Sequence, residues 1–110
     1  MGLTKSAKFT DAQNEFSALA KAIGHPARIA IIEYLLSVDA CICGDIVELL
    51  PLAQATVSQH LKELKNAGLI KGTIEGAAIC YCIDEKGFEK IKSFFDHVTV
   101  SLQNKSDECC

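Results

Sequence analysis

Six cysteines are the residues best suited to chemistry in this chain of 110 residues. They form three close pairs, Cys41/Cys43, Cys80/Cys82 and Cys109/Cys110. Such short spacings are poor for a disulfide within a pair, but they can bring two thiolates to one soft ion. The chemistry to expect is therefore soft-ion binding or thiol oxidation, and the surrounding elements must decide which pairs can take part.

The composition is that of an ordinary globular chain, with 49% hydrophobic and 23% charged residues. The N-terminus carries no secretory apolar segment, and no apolar run approaches the roughly 20 residues of a membrane span. We therefore expect a cytoplasmic protein with reduced thiols and no membrane partner. The length indicates one domain over residues 1–110, with a short mobile tail at 103–110 that ends in Cys109 and Cys110.

The first cysteine pair comes directly before a short helix predicted at about residues 44–50. Unpaired N–H groups and the positive dipole end at a helix start lower the pKa of a thiol, and the thiolate is the metal ligand. Cys41 and Cys43 are therefore predicted thiolate ligands of a soft ion. Sulfur-only ligation suits trivalent arsenic or antimony first, and cadmium or lead second. The alternative is that both are small apolar residues of a core.

The other two pairs lie in different settings. Cys80 and Cys82 share one face of a predicted strand with Ala78, which is typical of packing on the inner face of a sheet. Cys109 and Cys110 stand on a polar tail with no core to fill. They are either additional ligands of that ion or inert, oxidisable chain ends.

A helix predicted to begin near Ala53 separates apolar and polar residues on opposite faces. Val57, Leu61 and Leu64 recur at i, i+4 and i+7 and form a buried stripe. A helix with an apolar back and a polar front is what reading the DNA major groove requires. The predicted DNA contacts, on this helix and just after it, are Gln54, Thr56, Ser58, Gln59, His60, Lys62 and Lys71.

The distribution of charge along the chain supports the prediction of DNA binding. The whole chain has a formal net charge of −3. Three lysines and one glutamate lie between Ala53 and Gly72, so this segment is net +2 (3 − 1). A locally basic segment in an acidic chain is compatible with salt-sensitive binding to DNA.

The remaining signals predict a mainly α (α+β) winged helix-turn-helix with about five helices and a two-stranded β-wing. A Thr10-x-x-Gln13 capping box opens the first helix, and Pro26 suits the start of the second. The second helix is predicted to bury Ile29, Ile32 and Leu36. Gly68 is expected to end the groove-facing helix as a C′ residue. The wing strands are expected at Ile70–Ile74 and Ala78–Ile83, and Asp84 is expected to cap the last helix.

The last helix carries an apolar seam with steps of 3, 4, 3 and 4 residues, which is the a/d spacing of helices that pair. Its members are Phe88, Ile91, Phe95, Val98 and Leu102. Such a seam is wider than one small core needs, so we expect a homodimer.

The chain resembles the ArsR/SmtB family of winged-helix metalloregulatory repressors from about Phe16 to Leu102. The resemblance rests on His25-Pro26-x-Arg28, on Cys41-Ile42-Cys43, on Thr56-Val57-Ser58-Gln59-His60-Leu61 with the following Leu64-x-x-x-Gly68-Leu69-Ile70, and on a wing of the Glu75-Gly76…Tyr81 kind. It implies a cytoplasmic dimer that binds an inverted-repeat operator, represses transcription, and leaves the DNA when a toxic metal or metalloid binds.

Two departures from the family pattern narrow the inducer. The zinc-sensing branch carries an Asp-x-His pair on its last helix, whereas Asp96 and His97 are adjacent here and point about 100° apart. The arsenic-sensing branch often carries a third cysteine after Cys-x-Cys, whereas Ile46 stands at that position. A third sulfur for inorganic arsenite must therefore come from elsewhere, and we predict that Cys109 or Cys110 supplies it.

The sequence thus predicts a repressor whose inducer is trivalent arsenic or antimony, inorganic or methylated, with no constitutive cofactor. Alternatives on the same scaffold are a thiol redox sensor and a cadmium or lead sensor. A thiol oxidoreductase is disfavoured because no βαβ redox fold is indicated, so we expect no enzyme. A winged helix that binds only protein is disfavoured by the lysines near the polar front of the groove-facing helix.

Overall fold

The structure, a computed structural model, describes the backbone of residues 8–38, 42–43, 46, 50–75 and 78–105. It describes their side chains except those of residues 42–43, 73–75 and 78–79. Four helices and three strands have bounds within these ranges. In chain order they are α1 (Asp11–Ile23), α2 (Pro26–Ser37), β1 (Ile42–Cys43), α3 (Gln54–Asn66), β2 (Ile70–Glu75), β3 (Ala78–Ile83) and α4 (Glu85–Gln103).

The first two helices begin where the sequence predicts, and a side chain caps each of them. The Thr10 hydroxyl accepts from the Gln13 backbone N–H at 3.1 Å, and the Gln13 side chain accepts from the Thr10 backbone N–H at 3.0 Å. This reciprocal pair is the capping box, and it satisfies two backbone donors at the start of α1. Before Pro26, the Nδ1 atom of His25 accepts from the Ala27 backbone N–H at 3.0 Å, which caps α2.

The buried face of α2 differs from the prediction. Ile32 is buried as expected, together with Ile31 and Leu35, but Ile29 and Leu36 are 41% and 66% exposed. Apolar residues occur almost all round this helix, so their spacing does not select one face. Packing against α1, α3 and β3 selects it instead.

The predicted two-stranded wing is present, and a short third strand extends its sheet. Strands β2 and β3 pair antiparallel from Ile70 opposite Ile83 to Glu75 opposite Ala78. The two-residue strand β1 adds to the other edge of β3, giving the order β1-β3-β2. A strand this short shows no periodicity in a sequence, so the sequence did not predict it. The helix predicted at about 44–50 falls mostly outside the described residues, although Ile46 is helical and buried.

One apolar core joins α1, α2, α3 and the start of β2. Its buried members are Leu19, Ala22, Ile31, Ile32, Leu35, Ile46, Val57, Leu61, Leu64, Leu69 and Ile70. No helix of the described ranges is long and apolar enough to cross a membrane.

Helix α4 starts against this core and then leaves it. Asp84 caps it by accepting from the Lys86 backbone N–H at 3.1 Å, as predicted. Phe88 and Ile91 pack on the core, whereas Phe95 and Leu102 of the same seam are 54% and 61% exposed. Phe16 of α1 stacks on Phe94 with ring centroids 3.9 Å apart. The second half of α4 therefore presents an uncovered apolar face.

Candidate nucleic-acid interface and cysteine sites

Helix α3 is oriented by the stripe that it buries. Val57, Leu61 and Leu64 are at most 4% exposed and lie in the core, as predicted. Their burial turns the opposite side of the helix toward solvent. Apolar burial of this kind fixes the direction in which the polar side chains point, since a rotation of α3 would expose the stripe.

The exposed side of α3 carries most of the predicted DNA contacts. Gln54, Thr56, Ser58, Gln59 and Lys62 are all exposed, and so is Lys71 on β2. We call these six residues the recognition face. The Gln59 amide donates to the Glu63 carboxylate at 3.2 Å, one turn further along. This contact is exposed, so Gln59 can exchange it for a base edge at little cost.

The two ends of α3 differ in how their backbone groups are satisfied. No side chain caps Ala53 at the start, in agreement with the sequence. At the other end Gly68 has φ 81°, which favours glycine, and its N–H donates to the Lys65 carbonyl at 3.0 Å. The Leu69 N–H donates to the Leu64 carbonyl at 3.0 Å. This pair of bonds is the Schellman motif, and it confirms Gly68 as the predicted C′ residue.

His60 occupies a different place from the one predicted. It is 8% exposed, and its Nδ1 atom accepts from the Arg28 Nε–H at 3.0 Å. Burial lowers the pKa of His60, and the nearby His25 and Arg28 lower it further. The structure thus places His60 on the inner side of α3, where it accepts from arginine, and this position corrects its prediction as a DNA contact.

Arg28 is a residue whose role the sequence did not reveal. Its Nη1 atom donates to the Ala22 carbonyl at 3.1 Å, while its Nε–H donates to His60. The His25 ring lies beside His60 with centroids 4.5 Å apart. One guanidinium therefore links the end of α1, the start of α2 and the middle of α3. The His25-Pro26-x-Arg28 pattern was the available signal, but its spacing does not identify His60 as the partner.

Three of the four cysteines predicted as ligands lie outside the described residues. They are Cys41, Cys109 and Cys110, and their role as ligands stays a prediction. Cys43 is described through its backbone, which pairs in β1 with Cys80 of β3. Within the side chains that the structure describes, no group of three or more His, Cys, Asp or Glu could hold a metal ion.

The wing cysteines combine burial with a covalent bond. Cys80 is fully buried and Cys82 is half-buried, which agrees with the packing role predicted for them. Each is also disulfide-bonded, so each has a second sulfur beside it. Packing alone does not account for that sulfur, and the wing therefore belongs among the candidate thiol sites.

Comparison with known proteins shows which family and which proteins this chain is similar to. Residues 25–71 match the bacterial regulatory protein arsR family. The chain is 40% identical over 63 residues to the HTH-type transcriptional repressor SmtB of Mycobacterium tuberculosis; the match covers 57% of this chain and 46% of SmtB, so it spans about half of that relative's length. It is 38% identical over 74 residues to an uncharacterised HTH-type transcriptional regulator of Methanocaldococcus jannaschii, covering 66% of this chain and 82% of the relative.

Two longer matches extend the comparison. The arsenical resistance operon repressor of Staphylococcus xylosus is 28% identical over 101 residues, covering 86% of this chain and 96% of that protein. The solution structure of a homodimeric winged helix-turn-helix DNA-binding domain from Mycobacterium bovis has a TM-score of 0.61 at 20% identity, covering 89% and 88% of the two chains. This last likeness shows the winged helix-turn-helix fold. The family match and the relative covered over 82% of its length together show that the chain belongs to the ArsR family of bacterial regulatory proteins.

Proposed function

We propose that the protein is a transcriptional repressor that binds operator DNA as a homodimer and leaves it when trivalent arsenic or antimony binds its cysteine thiolates. The observation that supports DNA binding is the recognition face, of whose six exposed polar residues five lie on α3, a helix whose other side is buried in the core. A helix presented in this way can enter the major groove.

The recognition face divides into residues that specify and residues that position. An amide such as that of Gln59 can pair with adenine through two hydrogen bonds, and Ser58 or Gln54 offers further contacts to base edges. Lys62 and Lys71 contact phosphates, which adds affinity without sequence preference. The Arg28–His60 hydrogen bond supports a recognition role for α3, because Arg28 fixes α3 against the first two helices in the absence of DNA.

Dimerisation is supported by the uncovered apolar half of α4. Phe95, Val100 and Leu102 are more than half exposed, and Phe95 also lies edge-on to Phe16 of α1. A partner copy that covers this face would bury apolar area and place two α3 helices on one side of the dimer. Such a pair would address half-sites about 34–36 Å apart on an inverted repeat.

The inducer is proposed from the chemistry of the donors. Cys41-x-Cys43 offers two sulfurs, and a sulfur-only set fits a soft trivalent ion. The arsenical resistance repressor of S. xylosus supports arsenic as that ion. When bound, the ion supplies covalent cross-links between thiolates. Because β1 is hydrogen-bonded to β3, a displacement of Cys43 on ion binding would be transmitted to the wing as well as along the chain to Ile46.

Release from DNA then follows from linkage. An ion that binds the DNA-free shape more tightly must weaken operator binding by the same factor, and the operator must weaken ion binding equally. Neither ligand needs to touch the other. The requirement is that the cysteine segment and α3 share a rigid core, and Ile46 and Leu64 are both members of it.

Selection of DNA from a random pool tests the proposal. Reduced protein should enrich an inverted repeat, and arsenite should release the selected duplex in a fluorescence-anisotropy titration. Enrichment of no sequence would contradict specific operator binding. Sequence-specific binding that neither arsenite nor antimonite weakens would contradict the proposal that trivalent arsenic or antimony is the inducer.

A second candidate is a thiol redox sensor, and one observation favours it. Cys80 and Cys82 are both disulfide-bonded, so the wing sulfurs have bonded partners in the fold. In that case two thiols and one peroxide would give a disulfide and two waters, and the disulfide would replace the ion. Operator release by hydrogen peroxide, reversed by a dithiol reductant and independent of arsenite, would distinguish this candidate.

A further inference from the structure

We propose that the ion site extends into the wing, with Cys80 of β3 supplying the third sulfur beside Cys43 of β1. The ligand would be a soft ion that takes three thiolates, such as trivalent inorganic arsenic. The inference rests on the proposed function and identifies a third sulfur ligand. Such a ligand is needed because Ile46 stands where the arsenic-sensing branch often carries a third cysteine. It competes with the prediction that Cys109 or Cys110 supplies that sulfur.

The strand register brings the two cysteines together. Cys43 and Cys80 are direct partners across β1 and β3. Residues directly opposite each other in an antiparallel pair have Cβ atoms about 4.5–5.5 Å apart on the same side of the sheet. Two thiolates on adjacent positions of this kind can bind one ion. Cys41 precedes Cys43 by two residues in the sequence and lies outside the described residues, so its part in the site stays a prediction.

The disulfides support the same placement. Cys80 and Cys82 are two residues apart on β3, so their Cβ atoms are roughly 6.6 Å apart along one face. A disulfide needs Cβ atoms about 3.5–4.5 Å apart, so these two cysteines are poorly placed to bond to each other. On β2, the residues directly opposite Cys80 and Cys82 are Thr73 and Lys71, and neither contains sulfur. The other edge of β3 is β1, where Cys43 stands opposite Cys80.

Ion binding at this place conserves oxidation state and requires the thiols to be reduced first. Each arsenic–sulfur bond forms as a thiol proton leaves with one hydroxyl group of arsenous acid, releasing one water. Three such exchanges consume the three hydroxyl groups and leave arsenic trivalent. A methylated trivalent arsenical has one valence on carbon, so it needs only two thiols. Cys80 should therefore matter for arsenite and much less for methylarsenite.

The test uses the full-length protein, reduced with a phosphine and bound to its selected operator. Cys80→Ser removes the proposed sulfur, and a double serine variant of Cys109 and Cys110 removes the competing sulfurs. Tyr81→Phe is the matched control, since it alters the neighbouring position of β3 without removing sulfur. Release by arsenite and by methylarsenite is followed by anisotropy, and X-ray absorption counts the sulfur neighbours of bound arsenic.

Cys80→Ser is expected to bind operator like wild type and to need at least roughly 10-fold more arsenite for release, since loss of an outer-shell partner of a ligand already costs this much. Its arsenic should keep two sulfurs and gain one oxygen, and methylarsenite should still release it. The tail variant and Tyr81→Phe should respond like wild type, with three sulfurs around arsenic. If Cys80→Ser lowers the helical circular dichroism, Cys80→Ala and the sulfur count of the tail variant decide instead.

Three sulfurs around arsenic in a folded Cys80 variant would overturn the inference, and so would a tail variant with only two. Loss of the third sulfur on Cys82→Ser but not on Cys80→Ser would overturn it as well. These outcomes leave the proposed function intact, because wild type still responds. A wild-type protein that arsenite and antimonite do not release would instead overturn the proposed function.

Discussion

The first turn of α4 packs so closely on the end of α3 that one added methyl group should destabilise the fold. A Cβ atom at Gly87 would lie 2.1 Å from the Gly68 carbonyl oxygen and 2.8 Å from the Gly68 carbonyl carbon. A close carbon–oxygen contact is about 3.3 Å, so the two backbones would have to separate by about 1 Å. Gly68 resists this movement because its φ of 81° and its hydrogen bonds belong to the Schellman motif.

The magnitude follows from two opposing terms. Forcing an extra carbon into a packed site costs about 1–3 kcal/mol, and the upper part of this range applies because the obstacle is backbone. Replacing glycine by alanine in a helix returns at most ~1 kcal/mol. Gly87→Ala should therefore lower the free energy of unfolding by about 1–2 kcal/mol. At about 4–8 °C per kcal/mol, the Tm should fall by roughly 4–16 °C.

Thermal unfolding followed by circular dichroism at one fixed protein concentration measures this shift, since association alters the apparent Tm. Gly24→Ala is the matched control. Its nearest contact would be 3.2 Å, to the Ala20 carbonyl oxygen, and its φ of −82° suits alanine. The control should change stability by less than about 0.5 kcal/mol. An unchanged or higher Tm for Gly87→Ala would refute the close packing of α4 on Gly68.

Three further predictions concern α3 and α4. Because the fold lowers the pKa of His60 below its ordinary value of 6.5, the unfolded chain gains that proton first. Stability should thus fall as the pH drops below about 6.5, and in urea titrations His60→Gln, which can still accept from Arg28, should reduce this slope. Lys62→Ala should weaken binding to all DNA alike and flatten its salt dependence, whereas Gln59→Ala should relax preference at one base of each half-site; in gel shifts, an unchanged preference for Gln59→Ala would contradict its role. Phe95→Lys should shift the dimer toward monomer in sedimentation equilibrium while leaving the circular dichroism unchanged, because Phe95 is 54% exposed.

Local signals in the sequence were sufficient for the helix boundaries around the site. The capping box at Thr10, the Asp84 cap and Gly68 each depend on residues within one or two turns, and all three are present in the structure. The buried stripe of α3 was also predictable, because polar residues separate Val57, Leu61 and Leu64. Where polar residues are scarce, as in α2, the spacing failed to identify the buried face.

The contacts that the sequence did not reveal join distant segments. Strand β1 exists because β3 offers it an edge, and nothing in two residues predicts that edge. The Arg28–His60 hydrogen bond joins residues 32 positions apart, so His60 looked like a polar residue at the margin of the recognition face. Both corrections bear on function. One places Cys80 of the wing opposite Cys43, a predicted ligand, and the other removes His60 from the predicted DNA contacts.

The proposed function depends on one claim, that thiols of the Cys-x-Cys pair release the protein from DNA. The most direct measurement is an arsenite titration of the reduced protein on its selected operator, for wild type and for Cys41→Ser and Cys43→Ser separately. We expect near-equal operator affinity for all three proteins without arsenite, and release of wild type alone when arsenite is added. Release of both serine variants at the wild-type arsenite concentration would contradict the claim, and loss of operator binding without arsenite would show a structural role for these cysteines instead.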